Sequence, residues 1–119
     1  MDRSGGPRIG PPSGTLVNRG ELWWTETPDA GRRPTLVLTR QAAIPVLNWV
    51  LAVPATRTIR GIPTEIRLGP DDGLPDECVV SLDNIVPIPK SLFLEHISRL
   101  SGERMQQVCA ALAIATGCE

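Results

Sequence analysis

The chain has 119 residues, 41% of them apolar, with a mean hydropathy of −0.02, values that fit a single globular domain large enough to bury a real core. Its formal net charge of −1 points to no partner by bulk attraction. No apolar run approaches the ~20 residues of a membrane-spanning helix, and residues 1–18 lack the apolar centre of a secretory signal, so a cytoplasmic protein with no membrane partner is expected.

In chain order, residues 1–18 are rich in glycine and proline and read as a flexible tail, leaving residues 19–119 as the folded domain. Residues 19–25 form the first expected strand. Its adjacent tryptophans, Trp23 and Trp24, point to opposite faces, one toward the core and one outward. Pro28, Asp29 and Gly31 supply turn chemistry across residues 26–32. Pro34 opens an apolar strand over residues 35–39, and Pro45 stops a short helical turn after Gln41. A third strand is expected over residues 47–56, with Trp49, Leu51 and Val53 sharing a face and Pro54 marking an edge or bulge near its end. Residues 64–68 alternate polar and apolar as a half-exposed strand, and residues 69–75 form a turn. Short strands follow at 78–82, 84–88 and 96–100, with a turn or short helix over 90–94. Ser101 reads as the N-cap of a terminal helix, with Glu103 in its first turn and Gly117 just beyond its end. Met105, Val108, Cys109, Leu112 and Ala115 fall at helical spacing and define its core face, with Cys109 inside. Strands first and one helix last predict a small β-rich barrel with an α cap.

Charge is unevenly spread. Between Gly31 and Leu68, Arg32, Arg33, Arg40, Arg57, Arg60 and Arg67 face only Glu65, whereas beyond Gly69 acids outnumber bases. Arginine presents a flat fork of donors that matches phosphate oxygens, although a general compositional preference for arginine would give the same pattern. The cysteines, Cys78, Cys109 and Cys118, are odd in number and contain no C-x-x-C, which argues against a disulfide framework and a zinc site. Cys118 is expected to be an exposed thiol.

Most catalytic signatures are missing. The sequence holds no phosphate-binding glycine loop, no H-E-x-x-H and no G-x-S-x-G. His96 is the one histidine and is expected to be structural or exposed. An enzyme built from these residues is expected to work without metal, cofactor or imidazole base.

Several segments, taken in order, resemble the MazF/PemK family of bacterial toxin endoribonucleases. Arg19-Gly20-Glu21-Leu22-Trp23 resembles that family's R-G-[ED]-[IV]-[WY], and Gly31-Arg32-Arg33-Pro34-Thr35-Leu36-Val37-Leu38 resembles its G-x-R-P-x-[VL]-V-[IL]. Leu51-Ala52-Val53-Pro54-Ala55-Thr56 resembles V-V-P-[LV]-T. The segment from Cys78 to Ile85 resembles a strand ending in A-D-Q-[IV], and His96-Ile97-Ser98-Arg99-Leu100 resembles I-G-x-L. The resemblance implies a mainly β fold with α, an SH3-like β-barrel of the CcdB/PemK kind with short helical turns and a C-terminal helix. It implies a homodimeric toxin of a type II toxin–antitoxin system, restrained by a MazE-like antitoxin through a disordered segment. It also implies metal-free, sequence-selective cutting of single-stranded RNA, with mRNA the expected target, to 2′,3′-cyclic phosphate and 5′-hydroxyl ends. The family's catalytic Arg and Thr fall on Arg33 and Thr56.

On that reading, Arg32, Arg40, Arg57 and Arg60 are candidates for RNA backbone contacts, which position RNA without reading its sequence. Trp24 or Trp49 is a candidate for base stacking, with core packing the expected role of each. There are departures from the family pattern: Arg57 follows Thr56 where relatives carry a hydroxyl residue, the segment 26–32 is short, and Pro28 stands where some relatives have a functional Glu. Two alternatives share the fold: a gyrase-binding poison of the CcdB type, and a member that binds RNA or antitoxin without cutting.

Overall fold

A computed structural model describes residues 17–29 and 31–118. The expected tail lies outside them except for Val17 and Asn18. Val17 is 2% exposed and packs in the core.

Strand β1 (Glu21–Thr27) and strand β2 (Gly31–Val37) form a hairpin in unbroken register, from Leu22 opposite Leu36 to Thr27 opposite Gly31. β2 therefore starts four residues earlier than expected and carries the arginine pair within the sheet. Pro34 does not prevent this. Its carbonyl accepts from the Ala55 N–H at 2.8 Å, and in an antiparallel strand a residue's N and O face the same neighbour. The missing donor thus faces the place where the next ladder has already ended.

That ladder joins β2 to β3 (Trp49–Pro54) over three pairs, the last being Thr35 with Pro54. β3 also pairs with β6 (Val86–Pro89), while β7 (Phe93–Arg99) lies along the other side of β1. The sheet order is β6-β3-β2-β1-β7. β4 (Glu65–Leu68) and β5 (Cys78–Ser81) form a second, two-stranded sheet. The two sheets are tied at Thr56, which exchanges a pair of 2.8 Å backbone hydrogen bonds with Val79 of β5. The result is a curled, incompletely closed barrel. Short 3₁₀ turns connect its strands, among them Gln41–Val46 and Lys90–Leu92.

Helix α1 (Gly102–Thr116) is capped as expected: the Ser101 hydroxyl accepts from the Arg104 N–H at 3.1 Å, and Gly117 closes the helix with φ of 72°. Its buried line runs through Val108 and Ala111. Cys109 is exposed, contrary to expectation, because it lies about 100° round the helix from Val108; there it receives the Arg19 guanidinium at 3.4 Å. Cys118 is exposed, as expected.

Both faces of the large sheet are covered. Leu22, Leu36 and Val53 pack with Leu68, Val80 and helix residues Val108 and Ala111. On the opposite face Trp23, Val37, Val50, Ile88 and Phe93 form a second core, in which Trp23 meets Phe93 edge to face at 6.4 Å. Trp23 is thus the core tryptophan and Trp24 the outward, half-buried one. Trp49 is 44% exposed, not packed as expected, since the first core reaches Val53 on that face and stops short of Leu51.

The opening Arg-Gly-Glu is structural. Gly20 has φ of 86°, and a Cβ there would stand 3.5 Å from the Met105 sulfur. The buried Glu21 carboxylate accepts from Trp23 Nε1 at 2.9 Å and the Asn18 N–H at 2.7 Å, and His96 and Arg99 each approach at 3.4 Å. Burial pushes the Glu21 carboxyl up, but the bonds from Trp23 and Asn18 and the neighbouring His96 outweigh it, and its pKa is lowered overall. A group whose pKa falls on folding stabilises the fold above its unfolded pKa and loses that contribution as pH falls through the folded one. Urea midpoints across a pH series are therefore expected to fall more steeply toward acid for the wild type than for Glu21→Gln. Parallel curves would assign the acid limb to other groups.

Candidate functional site

The seam where β3 leaves the large sheet brings together residues far apart in the chain. Arg33 projects from β2, half-buried, and its Nη1 donates to the Ala55 carbonyl at 3.2 Å. Nearby, Asp83 accepts from the Thr64 hydroxyl at 2.6 Å. One residue further on, Thr56 is held on its backbone by Val79. Its Oγ1 accepts from the Thr58 N–H at 3.2 Å, so its hydroxyl proton is left to donate outward.

Arg33 and Thr56 line a cavity of about 460 Å³ with Trp24, Arg32, Arg57 and Asp76. Its size falls within the roughly 300–1,000 Å³ of sites that hold organic ligands. The Arg32 guanidinium lies 5.0 Å over the Trp24 ring and pairs with Glu95 of β7 at 3.2 Å. Arg57 pairs with Asp76 at 3.0 Å across the rim. Cys78 lines the same cavity and is buried. Burial, reinforced by the charge of Asp72, pushes its thiol up.

A second cavity, of about 310 Å³, adjoins the first, and Arg33, Thr56 and Thr58 line both. Arg60, Glu65 and Asn84 belong to the second alone. The Glu65 carboxylate fixes that wall by accepting from the Arg60 and Gly61 N–H groups at 3.1 and 2.8 Å. Arg40 lines neither cavity. It lies beyond the C-terminal end of β2, past a bend at Thr39, whereas Arg33 lies near the strand's start. Of the residues singled out in the sequence, Arg32, Arg33, Thr56, Arg57 and Trp24 therefore meet in one cavity and Arg60 in its neighbour. Asp76, Thr58 and Asn84 escaped sequence reasoning. Asn84 stands where the resembled A-D-Q-[IV] segment has its Gln, the one signal that could have found it.

A groove of about 840 Å³ lies elsewhere, between β4 and α1. There Arg104 is engaged within the protein, bonding Asp72 at 3.1 Å, the Arg67 carbonyl and Gln107. That groove sets Arg67, Arg99 and Arg104 against Asp71, Asp72, Glu77 and Glu103, whereas in the smaller pair of cavities arginines outnumber acids, which suits an anion better. Among the described residues no three His, Cys, Asp or Glu side chains converge as a metal site, and no helix is long and apolar enough to cross a membrane.

The Arg57–Asp76 pair is exposed on both sides, 80% and 64%, and an exposed pair contributes about 0–1 kcal/mol. Asp76→Asn is therefore expected to leave the unfolding midpoint nearly unchanged. It should shift elution from a heparin column to higher salt, because Arg57 loses its counter-ion. Unchanged or earlier elution would show that Asp76 does not restrain Arg57.

Residues 18–116 match the family model described as the PemK-like, MazF-like toxin of type II toxin-antitoxin systems. The chain is 42% identical over 104 residues to the probable endoribonuclease MazF5 of Mycobacterium tuberculosis, covering 87% of this chain and 95% of that protein. It is also 42% identical to the probable endoribonuclease MazF2 of the same species, covering 86% and 100%. Among solved structures, a mycobacterial endoribonuclease in complex with its cognate antitoxin superposes with a TM-score of 0.78 at 29% identity, over 87% of this chain and 98% of that one. A MazE–MazF complex from Deinococcus radiodurans superposes with a TM-score of 0.74 at 29% identity, over 87% and 99%. Matched along nearly its whole described length in sequence and in fold, the chain belongs to the PemK-like, MazF-like toxins of type II toxin–antitoxin systems.

Proposed function

We propose that the protein is the toxin of such a pair and acts as a sequence-selective endoribonuclease on single-stranded RNA, with mRNA as its target. The observation that carries this reading is the convergence of Arg33 and Thr56 on one wall, with two further arginines around the same cavity.

The reaction needs no protein nucleophile. The substrate's 2′-oxygen attacks the adjacent phosphorus, the bond to the 5′-oxygen breaks, and the products end in a 2′,3′-cyclic phosphate and a 5′-hydroxyl. The proton lost by the 2′-hydroxyl passes to water, and the leaving 5′-oxygen takes one up. Negative charge grows on the phosphorane oxygens meanwhile. Arg33 places guanidinium N–H groups there and Thr56 its hydroxyl proton. With a pKa above ~12, Arg33 stabilises charge rather than removing a proton. Arg32, Arg57 and Arg60 hold neighbouring phosphates. No metal ion is required by this chemistry.

The toxin works in the cytoplasm as a homodimer. Its partner is a MazE-like antitoxin whose disordered acidic segment covers the arginine-lined cleft; the similarity to toxins solved with their antitoxins supports this partnership.

In excess EDTA the wild type is expected to cut a long single-stranded RNA at discrete sites bearing cyclic phosphate. Arg33→Ala and Thr56→Ala should each slow cutting by about a hundred- to a thousandfold with unchanged unfolding midpoints. Undiminished cutting by both variants would remove these two residues from the reaction.

A further inference from the structure

We infer that Asp72, Arg104 and Ser98, none of which lines either cleft cavity, are positioning residues: they hold the segment 69–77 so that Leu74 to Cys78 stand as a fixed wall of the larger cavity. The consequence for cutting rests on the proposed nuclease reading; the placement of the wall does not.

The wall has little regular structure of its own. Between β4 and β5 the chain makes one 3₁₀ turn, Pro70–Asp72, and then runs from Gly73 to Cys78 with no further element. Leu74, Pro75, Asp76, Glu77 and Cys78 line the cavity that also holds Arg33 and Thr56. Asp76 reaches Arg57 at 3.0 Å on its rim.

The segment is gripped immediately before the wall begins. The Asp72 side chain is 8% exposed and takes a fork from Arg104 of α1, Nε to Oδ1 and Nη2 to Oδ2, each at 3.1 Å. Oδ2 also accepts from the Gly69 N–H at 3.0 Å, which closes the turn. The Ser98 hydroxyl of β7 donates to the Asp72 carbonyl at 2.5 Å. Gly73 follows with φ of 87°, so close to β7 that a Cβ there would stand 2.6 Å from the Ser98 Cβ. Leu74 then enters the core with Val108 and Ala111 of α1. A two-bond guanidinium–carboxylate fork sets angle as well as distance. Arg33 and Thr56 are held separately, by the Ala55 carbonyl and by Val79. Loosening the grip therefore moves one wall of the cavity and leaves the pair that faces the phosphate in place.

The test reads the wall and the reaction separately. Cys78 is buried and lines the cavity at the end of the segment. With Cys109 and Cys118 changed to serine, its labelling by a neutral maleimide reports how often the wall opens. Arg104→Ala is expected to speed labelling about tenfold, and Ser98→Ala to speed it by a smaller factor. The charge of Asp72 pushes the Cys78 thiol up, and removing Arg104 strengthens that push, so faster labelling reports exposure and not titration. On a short RNA containing the mapped cut site, both variants are expected to raise KM, Arg104→Ala by about tenfold, with kcat within about twofold of the wild type. Ser98→Ala changes no charge and leaves Asp72 paired, so it decides if Arg104→Ala does not fold. Val50→Ala, in the opposite core, lowers stability without touching the wall and is expected to leave KM unchanged. Unchanged labelling in both variants overturns the inference. So does a KM raised by Arg104→Ala alone, which reports lost positive charge, or a fall in kcat with KM unchanged. A wild type that cuts no RNA removes the nuclease reading, and the labelling rates still decide whether the grip holds the wall.

Discussion

The structure depends on the two backbone hydrogen bonds between Thr56 and Val79, each 2.8 Å, that tie the large sheet to the small one. Pro34 and Pro54 end the β2–β3 ladder, which frees the chain to turn away. Ala55 spans the gap, giving its N–H to Pro34 and its carbonyl to Arg33. Thr56 then joins the partner sheet. Two such bonds contribute only about 1 kcal/mol each in net terms. Fully burying Val53, Val79 and Val80, each 0% exposed, contributes roughly 1.5–3 kcal/mol per side chain. Packing around the seam therefore holds it in place, and the hydrogen bonds set its register. Arg33 and Thr56 meet because both are attached to this seam.

The electrostatics of the cleft follow from partly neutralised arginines. Arg32 is shared between Glu95 and the Trp24 ring, and Arg57 is held by Asp76. These pairs are exposed and weak, so a phosphate with its full charge displaces the carboxylates at little cost. Cys78, which also lines the cavity, is buried and its pKa raised, which disfavours the nucleophilic thiolate. For the proposed reaction, whose nucleophile belongs to the substrate, what remains is a set of donors placed to stabilise a developing anion.

Much of this was legible in the sequence, for identifiable reasons. The tryptophan pair sorted into one core and one outer residue because a strand alternates strictly. The terminal helix was marked at both ends, by Ser101 and Gly117. Features that depend on what lies across the sheet were not legible. β2 begins before Pro34 because the neighbouring ladder has already ended there, a fact of tertiary structure. Trp49 shares a face with the buried Val53, yet the covering core stops between them. Cys109 fits an apolar helical stripe but lies beside Arg19 instead. Of the site, the Arg33–Thr56 pair came from family resemblance, since a lone arginine and a lone threonine carry no signal of their own. Asp76 and Asn84 enter the cleft only through the pairing of β5 with Thr56 and the turn that follows it.

The central claim is that one phosphate is held jointly by Arg33 and Thr56. It is tested most directly by a crystal structure of the protein with a short RNA blocked by a 2′-O-methyl group at its cut nucleotide. The account predicts the scissile phosphate within hydrogen-bonding distance of both the Arg33 guanidinium and the Thr56 hydroxyl. A phosphate bound over the Arg67–Arg104 groove, with Arg33 still on the Ala55 carbonyl and nothing at Thr56, would contradict it.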